Sequence, residues 1–155
     1  MLPRFRVCRI APVAASEPWA YVSIGAWEAA GDGERLEFLI LSPTETPRHV
    51  ETLAMIANYH ADLRYRLKAG DVVVIGHAWM EGATCDRLLV SLPYPYGPVL
   101  ERCCAEGGEI RFLWLLPITQ KEHEYLCANG AGALEERFQE AAIDAIDLQR
   151  VSVVE

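Results

Sequence analysis

Apolar and polar positions alternate at the start of the chain. In residues 4–12 Phe5 and Val7 are interleaved with Arg4 and Arg6, and this two-residue period predicts a strand. Residues 19–29, WAYVSIGAWEA, predict a second strand. GDG at 31–33 reads as a hairpin turn into a third strand at 35–42, RLEFLILS. The chain therefore begins as an antiparallel sheet.

The period changes after SPTETPRH. Thr46 is placed to cap a helix, and Pro47 suits a first helical position. Leu53, Ile56, His60, Leu63 and Leu67 then recur at three- and four-residue steps and share one face. Arg64, Arg66 and Lys68 suit a helix C-terminus, with Gly70 beyond it. This predicts a helix of about 20 residues, on the order of 30 Å long. Residues 71–79, DVVVIGHAW, run apolar without alternation, which predicts a central strand covered on both faces. Further strands are expected at 87–92 and 109–117, and helices at 120–128 and 132–142. Together these elements predict an α+β (mixed α/β) domain. Its largely antiparallel or mixed sheet packs against one long helix and a C-terminal helical pair, in a single domain over residues 1–155.

Composition supports a folded chain. Of 155 residues 52% are apolar, far from the signature of disorder. No apolar run is long enough to cross a bilayer, and the arginines near the N-terminus interrupt any signal peptide, so a cytoplasmic protein is expected. Five cysteines, an odd number with no CxxC pair, fit that compartment. The net charge is −8 and unevenly spread: residues 119–155 hold eight acids against three bases. Such a surface repels phosphate backbones, which argues against nucleic acid, and attracts a basic protein partner. Glu135 and Glu136 in this third are candidate partner contacts.

Few residues offer chemistry. In LWLLPITQKEHEYL, Thr119 and Glu122 have capping-box spacing, so Glu122 is expected to start a helix, and His123 is left on a helix surface without an identified partner. His60 is expected to be buried and neutral, with His49 near the same face. Cys103, Cys104, His123 and Cys127 could supply four zinc ligands, but adjacent cysteines point apart and lack the spacing of a structural site. A hydrolase built on Cys85 and His77 would need an orienting group that the sequence does not show. Cys85 itself lies in a turn-like stretch, EGATCD, and is expected to be exposed. Phosphate-binding loops are absent, and Gly130 in GAGA reads as a helix stop. The chain is thus expected to be no enzyme, with no cofactor and no metal. Tyr94 and Tyr96, held by prolines in YPYGP, are candidate contact residues.

The order of the segments resembles the Suppressor of fused domain family. LWLLPITQKEHEYL followed by ALEERFQEAAIDAIDLQRVSVV resembles its end, AGDVVVIGHAWMEGATCDRLLVSLPY its middle, and HVETLAMIANYHADLRYRL its long helix. The likeness runs from about residue 19 onward, and the chain looks like a compact bacterial member without room for the second domain of the animal protein. The resemblance implies a mixed α/β domain without catalysis. The animal member holds a peptide of Gli transcription factors in a cleft, partly as an added β-strand. Two of its peptide-facing positions match Tyr59 and Asp71 here. Bacterial members look like immunity proteins, which bind and block a toxin. The resemblance therefore implies a protein partner, either a basic toxin, such as a nuclease, or an extended peptide.

Overall fold

The computed structural model describes residues 2–31 and 33–155, with no side-chain description for Ala30. The chain forms two compact units. One comprises Met1–Ala69 with Leu92–Leu115, and the other Gly70–Ser91 with Leu116–Glu155.

In the first unit, β1 (Arg6–Ile10), β2 (Trp19–Ile24) and β3 (Leu36–Ser42) pair antiparallel in sequence order. β3 then pairs in parallel with β7 (Gly108–Ile118), Leu36 opposite Arg111 and Leu39 opposite Trp114. β6 (Arg102–Ala105) returns antiparallel along the start of β7. The sheet is therefore mixed, as expected. β3 is buried along its whole length, and α1 (Arg48–Ala61) packs over β2 and β3. Leu53, Ile56 and Ala57 of α1 meet a core of Tyr21, Phe38, Ile40 and Leu113.

Several local expectations are corrected. The second strand stops at Ile24 rather than residue 29, because Gly25 turns the backbone at φ +94° into a 3-10 turn, Ala26–Ala30. A Cβ on Gly25 would lie 3.1 Å from the Arg4 carbonyl oxygen, so the turn demands glycine. The hairpin expected at GDG falls partly on Asp32, outside the described residues. Pro47 occupies the cap position instead of the first helical one, and Thr46 Oγ1 accepts from the Arg48 N–H at 3.3 Å. The helix spans 14 residues, not 20. It ends where Asp62 turns to extended geometry and its carboxylate accepts from the Arg64 N–H at 3.0 Å, a local bond that competes with the helical ladder. Leu63, assigned to the buried face, is accordingly 74% exposed. Leu67 is still buried, and its N–H donates to His60 Nδ1 at 3.0 Å. His60 is thus a core histidine, its pKa lowered first by burial and then by Arg66. β6 was not anticipated: the sequence RCCA has no alternation, and all its residues are exposed.

In the second unit, β4 (Val72–Val74) pairs antiparallel with β5 (Arg87–Ser91). The expected central strand at 71–79 is in fact a short strand at the end of the strand order. Gly76 bends the backbone at φ +85°, and the apolar run is explained by burial of Val73 and Trp79 rather than by two covered faces. α3 (Gln120–Asn129) and α4 (Ala131–Glu140) pack on each other. Gly130 separates them at φ +92°, its N–H donating to the Leu126 carbonyl at 2.7 Å, so it stops α3 as expected.

Candidate protein-interaction sites

The segment that opens α3 is structural. Thr119 Oγ1 accepts from the Glu122 N–H at 3.3 Å, and Glu122 Oε2 accepts from the Thr119 N–H at 2.9 Å, so the capping box forms. Glu122 is also fully buried. Its two oxygens accept from Arg150 at 2.5 and 2.9 Å, and Oε1 accepts from the Val153 N–H at 3.1 Å. Arg150 further donates to the Pro117 carbonyl at 3.0 Å. Nothing in the sequence pointed to Arg150, because its partner lies 28 residues away. His123 does have a partner, contrary to expectation: Arg87 Nε donates to its Nδ1 at 3.1 Å, and Arg87 also pairs with Asp86. Partial burial and then the Arg87 charge lower the His123 pKa.

Of the five cysteines, one is buried and four are exposed. Cys85 is buried at 1% exposure, not exposed as expected, and burial first pushes its thiol pKa up, away from a reactive thiolate. Cys8, Cys103, Cys104 and Cys127 are exposed. Among the described residues, no three His, Cys, Asp or Glu side chains gather in a way that could hold a metal ion.

The second unit is the acidic one. It holds eleven Asp and Glu against four Lys and Arg, a net −7, and the first unit has eleven against ten, a net −1. Glu122 and Arg150 cancel inside, so the surplus lies among the outer groups. Glu124, Glu136, Glu140, Asp144 and Asp147 are all exposed. The candidates Glu135 and Glu136 differ: Glu135 is half-buried and accepts from Ser91 Oγ at 2.8 Å, whereas Glu136 faces solvent. Asp71 is half-buried beside β4, and its carbonyl accepts from the Val90 N–H at 2.8 Å. An open hollow of about 420 Å³ lies at the start of α3, lined by Thr84, Thr119, Gln120, Lys121, Glu124 and Ser152.

In the first unit, Tyr59 is 40% exposed on α1 and stacks on Tyr65 with ring centroids 4.9 Å apart. Tyr94 and Tyr96 sit together on a 3-10 turn, Tyr94–Tyr96, that Gly97 closes by donating its N–H to the Tyr94 carbonyl at 3.2 Å. Both rings are nearly half exposed, at 48% and 44%. The turn leads into α2 (Pro98–Glu101), and beside it lies a cavity of about 170 Å³ lined by Leu92, Pro93, Tyr94, Gly97, Pro98 and Glu101. Tyr94 and Tyr96 are thus brought together. Tyr59 lies on a separate element of the same unit, while Asp71, Glu135 and Glu136 belong to the other.

No described helix is long and apolar enough to cross a membrane. No curated protein matches the chain. A crystal structure of a protein described as a SUFU (suppressor of fused protein) homolog from Neisseria gonorrhoeae FA 1090 shares 43% identity, with a TM-score of 0.87, over 99% of this chain and 80% of that one. Drosophila Suppressor of Fused matches with a TM-score of 0.72 at 17% identity, over 96% of this chain and 42% of that one. A chain of the Sufu–Fu complex matches with a TM-score of 0.71 at 17% identity, over 96% of this chain and 76% of that one. At that identity the last two establish the fold alone. The sequence profile of the Suppressor of fused protein (SUFU) family matches residues 2–151, so the chain belongs to that family.

Proposed function

We propose that this chain is a non-enzymatic protein-binding domain whose partner is a basic protein, and that it serves as an immunity protein against a basic toxin such as a nuclease. The observation that carries this reading is the net −7 on the second unit. A nuclease must bind phosphate and is therefore basic, and opposite net charges accelerate encounter. That a protein of this fold has been solved as a complex, Sufu with Fu, supports binding as the activity. The test has two parts. Co-purification from native cells, read by mass spectrometry, is expected to recover a basic toxin domain. Stopped-flow association with that protein is expected to slow roughly tenfold between about 20 and 200 mM salt. Salt-independent rates would remove the electrostatic basis, and recovery of partners without toxin activity would remove the immunity role.

A second reading has its own support. β4 lies at the end of the strand order with Asp71 at its start, which suits capture of an extended peptide by strand addition. On this reading Asp71→Arg weakens peptide capture about tenfold, measured by fluorescence anisotropy with a labelled peptide from the partner. Unchanged affinity would count against it.

A further inference from the structure

The cavity beside the Tyr94–Tyr96 turn has features that a simple surface dimple lacks. At about 170 Å³ it is smaller than the roughly 300–1,000 Å³ of sites that hold small molecules or cofactors, and it matches a single side chain. Its walls are apolar: Leu92, Pro93, Pro98 and the Tyr94 ring. Pro93 and Pro95 restrict the turn, so the ring is presented at little entropic cost.

One wall carries charge. Glu101 lines the cavity, and its side chain is only 18% exposed. It belongs to a cluster with unequal charge. Arg111 is shared between Glu34 at 2.6 Å and Glu101 at 3.0 Å, and Arg102 between Glu109 at 2.7 Å and Glu101 at 4.0 Å. Three carboxylates thus face two guanidiniums, and one negative charge is left over. Glu101 is the member common to both arginines and the least solvated of the three, since Glu34 and Glu109 are 48% and 45% exposed. A surplus charge beside an apolar wall is attractive to a cation, because partial desolvation strengthens the pairing. Glu17 adds a further carboxylate near Tyr96, whose phenol pKa burial and then Glu17 push up.

We infer that this cavity receives an arginine side chain of a basic polypeptide, its guanidinium stacked on the Tyr94 ring and donating to the Glu101 carboxylate. Arginine suits it better than lysine because a planar guanidinium can stack and donate in one pose. The inference deepens the proposed function, resting on a basic partner, and names a contact within the nearly neutral first unit.

The test needs no partner. The full chain, labelled for NMR, is titrated with N-acetyl-arginine amide and, as controls, with the lysine and norleucine amides. The arginine probe is expected to shift the amides of Tyr94, Gly97 and Glu101 saturably, with an affinity on the order of millimolar. Tyr94→Ala and Glu101→Gln are each expected to weaken it roughly fivefold. Glu101 also holds Arg111, so Tyr94→Ala, which removes an outward ring, keeps the test meaningful should Glu101→Gln disturb folding. Three results overturn the inference: no saturable shift at these amides, an equal response to lysine or norleucine, or unchanged binding in Tyr94→Ala. Because the probe is a small molecule, such a failure leaves the acidic-unit reading standing. Conversely, salt-independent partner association leaves this cavity untouched.

Discussion

Arg150→Ala is expected to destabilise the protein by about 3–5 kcal/mol, one of the largest losses available to a single substitution here. Glu122 is fully buried and Arg150 is 8% exposed. Truncating the arginine strands a carboxylate where water cannot solvate it, and frees the Pro117 carbonyl as well. The Val153 N–H and the capping box remain, so they offset only part of the loss. Replacing both members, as in Glu122→Leu with Arg150→Met, is expected to recover only part of the stability, because it removes the charge but leaves the Thr119 and Val153 N–H groups and the Pro117 carbonyl without these partners. Urea denaturation of the single and double variants measures this. A single-variant loss under about 1 kcal/mol would mean that solvent reaches the site. The pH dependence has a definite sign. Burial raises the Glu122 pKa, but the Arg150 hydrogen bonds and charge, together with the Thr119 and Val153 N–H bonds, outweigh it and hold the carboxyl below its ordinary 4.5. This contribution is therefore present above pH 4.5 and is lost as pH falls through the lower folded value.

Glu37→Ala carries the second large effect, a loss of about 3 kcal/mol. Glu37 is 3% exposed on β3, and its contacts are a hydroxyl and backbone N–H groups. Its carboxylate accepts from Ser23 Oγ, from the Gly25 N–H at 2.6 Å and from the Ala26 N–H at 3.4 Å. It thereby caps the turn that ends β2. Alanine leaves those buried donors unmatched, whereas Glu37→Gln keeps one of the two acceptor oxygens and is expected to cost less, about 1–2 kcal/mol. Here the pH sign is reversed. Burial, only partly offset by the hydrogen bonds, raises the carboxyl above 4.5. Glu37 therefore favours folding most below pH 4.5, and that advantage fades as pH rises through the higher folded value. Glu37→Gln should flatten this component in denaturation curves taken across the acid range. A slope identical to the parent's would assign it to another group.

The two glutamates show what the pattern of residues could and could not convey. The capping role of Glu122 was legible, because Thr119-x-x-Glu122 is a local spacing with a local cause. Its ion pair was not, since charge complementarity over 28 residues leaves no trace in periodicity. Glu37 is less legible: an acid within RLEFLILS signals a buried carboxylate only once that strand is known to be covered along its length. The antiparallel start, the mixed sheet and the closing helical pair were readable from alternation and caps. The length of α1 was not, because apolar spacing continues past Asp62 while the backbone departs from the helix there. The strand at 71–79 failed for a related reason: an unbroken apolar run records burial, not position in a sheet. At the candidate interaction sites, YPYGP forms a 3-10 turn whose two tyrosine rings are nearly half exposed. The cavity beside it depends on Glu101 and its arginines, which only folding assembles.

β7 runs through both units, its residues up to Leu115 in one and those from Leu116 in the other. Neither unit is continuous along the chain. The parallel pairing of Leu36 with Arg111 must wait until more than seventy further residues have been synthesised. On the ribosome, emerging β1, β2 and β3 therefore have no β7 to lie beside, and the β4–β5 hairpin has neither α3 nor α4. Completion of the mixed sheet therefore waits on β7, and until β7 has emerged β3 lacks its parallel neighbour.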